Sequence, residues 1–91
     1  NKGFQYEIKI FGIEDYMIAR EFKKALKSYP GFMGDIRMSK MGNYYRFEVT
    51  YKSDKADEVV DSIFDALLDN DNFRKLDLKN SSGKQINLVI E

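Results

Sequence analysis

The sequence predicts an α+β fold, one sheet with two helices packed on the same face. Three observations carry that reading. The apolar period runs two, helical, two, two, helical, two along the chain. Turn-forming residues fall between the periodic stretches rather than inside them. A length of 91 residues, 43% of them hydrophobic, suits one domain with one core, and thirteen Phe and Tyr side chains supply the large buried areas a short chain needs.

Tyr6, Ile8 and Ile10 alternate with Glu7, Lys9 and Phe11, which gives a half-buried strand over about residues 4–11. Gly12 ends it, and Asp15 is placed to accept from the free N–H groups of a following helical turn. Ile18, Ala19, Phe22, Ala25, Leu26 and Tyr29 then recur at three- and four-residue spacing. Pro30-Gly31 stops that helix, because proline disfavours helical geometry in the residue before it. A second strand follows over Phe32 to Met38. Lys40-Met41-Gly42-Asn43 reads as a turn, and Tyr45, Phe47, Val49 and Tyr51 alternate with polar residues in a third strand that closes a hairpin.

Ser53 or Asp54 is expected to cap the second helix. Its stripe is Ala56, Val59, Val60, Ile63, Phe64, Leu67 and Leu68, and Asp57 and Glu58 suit its positive end. The helix gives out in Asp69-Asn70-Asp71-Asn72. Leu76 and Leu78 mark a short strand, Asn80-Ser81-Ser82-Gly83 a turn, and Ile86, Leu88 and Ile90 a closing strand, so the C-terminal section reads as one strand or as a hairpin.

With right-handed crossovers this order gives the ferredoxin-like plait, a four-stranded antiparallel sheet of order 4-1-3-2 with two helices on one face. The expected buried set of the sheet is Tyr6, Ile8, Ile10, Ile36, Met38, Tyr45, Phe47, Val49, Ile86 and Leu88. The other face would then carry Glu7, Lys9, Phe11, Asp35, Arg37, Tyr44, Arg46, Glu48, Thr50, Gln85, Asn87 and Val89, polar and of mixed sign. That face is either solvated or a docking face anchored by Phe11, Tyr44 and Val89. The strand from Phe32 to Met38 falls at a sheet edge, where it either accepts another strand or is guarded against it by Asp35, Arg37 and Lys40.

Composition removes whole classes of function. With no His and no Cys, the commonest metal ligands and the usual nucleophile and base are missing. The serines sit in no nucleophile motif. The acidic-amide run 69–72 lacks the glycine and distal Glu of a calcium loop, so neither metal nor cofactor is expected. Fifteen bases balance fifteen acids, which argues against nucleic acid as the partner. No apolar run is long enough to insert in a membrane. Charge is divided unevenly. Asp54 to Asp71 holds seven acids and one Lys, whereas Arg20, Lys23, Lys24 and Lys27 face the single acid Glu21. The two helices either neutralise one another side by side or form a dipolar surface that orders neighbouring domains head to tail.

Functions hosted by such a fold have residue requirements that can be checked one by one. The loop Gly12-Ile13-Glu14-Asp15 offers no soft metal ligand for copper delivery and would repel the phosphate that acylphosphatase cradles there. A nucleoside-diphosphate kinase needs a histidine. RNA recognition by stacking would use outward aromatics on the first and third strands. In the third only Tyr44 qualifies, beside Arg46 and Glu48. RNA binding and amino-acid sensing of the ACT type stand as the alternatives to protein binding.

The run Tyr6-Glu7-Ile8-Lys9-Ile10-Phe11-Gly12-Ile13, the break Tyr29-Pro30-Gly31-Phe32, the strand Tyr44-Tyr45-Arg46-Phe47-Glu48-Val49 and the closing hairpin together resemble small plait domains of bacterial envelope and lipoprotein-type assembly proteins. The resemblance spans most of the chain. It implies a non-catalytic module of a longer protein in the cell envelope or periplasm that contacts partner proteins, and it transfers no functional residue. The opening without Met also leads us to expect an excised domain over residues 1–91. The expected function is therefore a protein-interaction or structural module with no enzymatic activity. Its partner is a protein or a neighbouring domain of the same chain, and the candidate contact residues are Phe11, Met33, Arg37, Tyr44, Arg46 and Val89.

Overall fold

The computed structural model describes residues 3–91. Five strands, β1 (Phe4–Phe11), β2 (Phe32–Met41), β3 (Tyr44–Tyr51), β4 (Leu76–Ser82) and β5 (Gln85–Ile90), form one sheet with helices α1 (Tyr16–Lys27) and α2 (Ala56–Ala66). A single 3-10 turn, Asp71–Phe73, links α2 to β4. The mixed α+β architecture is the expected one. The strand order is not. It is β2-β3-β1-β5-β4, with β1 and β5 parallel and the other neighbours antiparallel, so the four-stranded antiparallel plait of order 4-1-3-2 is corrected.

The reason lies in the composition of the last two strands. A lane beside β1 is covered by helices on one face and must present apolar side chains there. Ile86 and Leu88 of β5 meet that demand and are fully buried, whereas β4 is exposed along its length except at half-buried Leu76. The later, more apolar strand therefore takes the inner lane. Because the β4–β5 hairpin reverses direction at Gly83 (φ +59°), β5 enters parallel to β1 and β4 is moved out to the edge.

The core is a single cluster between the sheet and both helices. Ile8 and Ile10 of β1, Phe47 of β3, and Ile86 and Leu88 of β5 pack against Phe22 and Leu26 of α1 and Val59 and Ile63 of α2, all at or near zero exposure. Phe22 sits at the centre, with ring centroids 5.2 Å from Phe47 and 6.0 Å from Phe73. Ile36 and Met38, expected in the core, are only half-buried because β2 is an edge strand. Tyr51, Ile13 and Phe73 are buried instead. Tyr51 is fully buried, and its hydroxyl donates to the Leu26 carbonyl at 2.8 Å, while Tyr6 donates to the Ser53 carbonyl at 2.7 Å. Each phenol thus ties the sheet to a chain segment at one end of a helix.

Helix ends follow local chemistry. Asp15 caps α1 by accepting from the Met17 N–H at 2.9 Å. The cap position of α2 is Lys55, not Ser53 or Asp54. Ser53 acts two residues earlier, accepting from the Lys55 N–H and donating to Glu58, each at 3.0 Å. Leu68, placed by periodicity on the α2 stripe, lies past the helix end and is 78% exposed.

Gly12 turns the chain out of β1 at φ +94°, and a Cβ there would collide with the Ile90 carbonyl. Gly83 also has a positive φ, +59°, but open space around it. Gly12→Ala is therefore expected to lower the urea midpoint by the equivalent of about 3 kcal/mol, against about 1 kcal/mol for Gly83→Ala, where only the backbone penalty applies. Burial first, then the neighbouring Tyr29 and Tyr6, raises the Tyr51 phenol well above its ordinary value of 10.0. In the unfolded chain this group ionises near 10, but in the folded chain it stays protonated. Its stabilisation is complete below that pH and is lost as pH climbs toward the folded value. Urea midpoints measured across this alkaline range should fall more steeply for the native chain than for Tyr51→Phe.

Candidate functional site: the open face of the sheet

Strand alternation puts every second residue on the face without helices, and the register lines these residues up in rows across the sheet. The first row reads Met41 on β2, Tyr44 on β3, Phe11 on β1 and Val89 on β5, each directly paired with the next. All four are half-buried. The Phe11 and Tyr44 rings lie 4.9 Å apart with their planes tilted by 45°. Two ammonium groups sit over this pair, Lys9 at 5.4 Å from the Tyr44 centroid and Lys79 at 4.4 Å from that of Phe11. Such contacts hold each lysine stem over the apolar row with its charge exposed.

The next two rows are ionic. Arg46 pairs with Lys9 across β3 and β1, and Glu48 pairs directly with Glu7. Two carboxylates at opposed positions repel. Arg46 bridges them, at 3.4 Å from Glu7 and 3.8 Å from Glu48, and Arg37 reaches Glu48 from β2 at 3.8 Å. The Arg46 Nε is buried without a hydrogen-bond partner. Beyond these rows the twisted sheet makes a shallow polar concavity of about 910 Å³ lined by Glu7, Arg37, Glu48, Thr50, Lys84 and Gln85.

Five of the six candidate residues are thus neighbours. Phe11, Tyr44 and Val89 share one row, Arg46 stands in the next, and Arg37 joins it through Glu48. Met33 does not belong with them. It pairs with Thr50 at the opposite end of β2, beside Gly3. Two members of the patch were not among the candidates. Met41 falls within the turn signal Lys40-Met41-Gly42-Asn43, but β2 runs through it. Lys79 is the extra residue where the β4–β5 register shifts between Leu78 and Asn80, so strict alternation could not assign its face.

Both sheet edges are irregular. The β2–β3 register shifts between Met33 and Arg37, around Gly34 at φ +74°, and β4 carries the shift at Lys79. Bulged edges resist the addition of a further strand. Among the described residues no group of His, Cys, Asp and Glu is arranged to hold a metal ion, and no helix is long and apolar enough to cross a membrane. Comparison with known proteins finds no matching family model, curated protein or solved structure.

If Arg46 holds the opposed carboxylates together, Arg46→Met should cost about 1 kcal/mol, a small value because all three groups are partly solvated. Adding Glu48→Gln should recover most of it. A thermodynamic cycle by urea unfolding measures that coupling.

Proposed function

We propose that this domain is a non-catalytic protein-interaction module whose docking surface is the open sheet face. The observation that carries the reading is the apolar row Met41, Tyr44, Phe11 and Val89, set on the face that no helix covers and bordered by Lys9, Lys79 and Arg46. Aromatic side chains, Met and Arg are the residue types that concentrate binding energy in protein interfaces. The irregular edges favour contact through the face over strand addition. The sequence resemblance to domains of bacterial envelope and lipoprotein-type assembly proteins agrees with a partner that is a protein or a neighbouring domain.

RNA binding is the second reading, since the same aromatic pair with its lysines is a stacking platform. Glu7 and Glu48 beside it, and a formal net charge of zero, weigh against a phosphate backbone.

A photo-crosslinking residue at Tyr44, compared with one at exposed Asp54, tests both readings in the cell that makes the protein. A discrete protein adduct from position 44 and none from 54 is expected. Once the partner is purified, Phe11→Ala or Lys79→Glu should weaken its binding at least about tenfold, with the unfolding midpoint changed little. A nucleic-acid adduct would favour the second reading, and protein adducts from position 54 alone would overturn the first.

A further inference from the structure

The helix side of the sheet is incompletely covered. Beyond α2, over β4, lies a groove of about 480 Å³ whose apolar floor is Val60, Phe64 and Leu78 and whose lining includes Asp61 and Asp65 of α2 and Asp77 of β4, the last at the strand position paired with Val89 of the open face. Leu78 projects toward it because it pairs with buried Leu88. Among the described residues none of these three carboxylates pairs with a cation.

The outward side of α1 has the opposite character. At 100° per residue, Tyr16, Arg20, Lys23, Lys24 and Lys27 fall on one side of the helix, with Met17 at its margin. Tyr16 and Met17 are 54% and 57% exposed. Their apolar surface lies at one end of the stripe and four cations occupy the rest, none paired with a carboxylate among the described residues. The helices lie in one chain yet do not neutralise each other. The polar links between α1 and the segment after α2 are hydrogen bonds from Asn70 and Asn72 to Glu21, at 2.9 and 3.3 Å. The charge division of the sequence is therefore left unspent within the chain. Twelve residues of α1 match the eleven of α2 in length, so the two can lie alongside one another over their whole extent.

We propose that the groove between α2 and β4 receives α1 of a second copy of this chain. Tyr16 and Met17 cover Val60, Phe64 and Leu78, and Arg20 and Lys24 face Asp61 and Asp65. Each copy presents one groove and one α1, so the contact is heterologous and extends head to tail. The open sheet face remains free, and the inference does not depend on what binds there.

Sedimentation equilibrium over a wide concentration range tests this. The native chain should form dimers and larger species at about 0.01 M salt and lose them at about 1 M, where charges are screened beyond about 3 Å. The exposed pairs Asp61→Lys/Asp65→Lys and Arg20→Glu/Lys24→Glu should each abolish association without lowering the urea midpoint. Mixed in equal amounts, the two variants should associate again into dimers and larger species, because the reversed groove of one and the reversed α1 of the other are once more of opposite charge. Phe11→Ala should associate as the native chain does. The proposal is overturned by a native chain that stays monomeric at low salt, by either double variant associating normally, by a mixture that does not pair, or by loss of association in Phe11→Ala.

Discussion

Two helices cannot cover five strands. A helix with its side chains is about 10 Å across and neighbouring strands lie about 4.8 Å apart, so each helix shelters about two strands. With α1 bonded to β3 through Tyr51 and Leu26, and α2 bordering a groove that opens over Leu78, the edge strand β4 is left without a full roof. Its helix-facing Leu76 and Leu78 then border a groove instead of a core. The partial exposure of Val60 and Phe64, both on the apolar stripe of α2, follows from the same shortfall.

That constraint also orders the strands. Whichever strand sits beside β1 is roofed, and whichever sits at the edge is not. The chain places the polar Leu76–Ser82 segment at the edge and the apolar Gln85–Ile90 segment inside. The parallel β1–β5 pair is a by-product of this sorting by hydrophobicity. β1 becomes the middle strand of five, and its Ile8 and Ile10 are fully buried.

Much of this was legible in the sequence. Period-two alternation located β1 and β3 to within a residue, and it placed Glu7, Lys9, Phe11, Tyr44, Arg46, Glu48 and Val89 together on the open face, because alternation fixes facing wherever the register is unbroken. It failed at irregularities. The register shift at Lys79 hid that residue's side, and the continuation of β2 through Met41 was masked by the turn signal of Gly42-Asn43. Periodicity also says nothing about where a stripe ends, so Leu68 falls on the α2 stripe although the α2 backbone has already stopped. Phe73 reaches the core from the 3-10 turn, a segment too short to show a period. Lane order is set by competition between segments for one roofed position, and a segment read alone does not contain it.

The surface that results is divided by direction. Contact in the plane of the sheet is discouraged by an interrupted ladder at each edge, near Gly34 and at Lys79. Contact above and below the plane is chemically distinct on the two sides. One side offers half-buried aromatics under lysines, with its carboxylates already engaged by Arg46 and Arg37. The other offers an apolar floor whose carboxylates have no cation among the described residues, next to a helix whose cations have no carboxylate. Internal pairing on the first side leaves its selectivity to shape and aromatic packing. Unpaired charge on the second makes attraction there long-ranged and salt-sensitive. A single small sheet can in this way meet one partner through packing and another through charge, with neither contact competing for the other's surface.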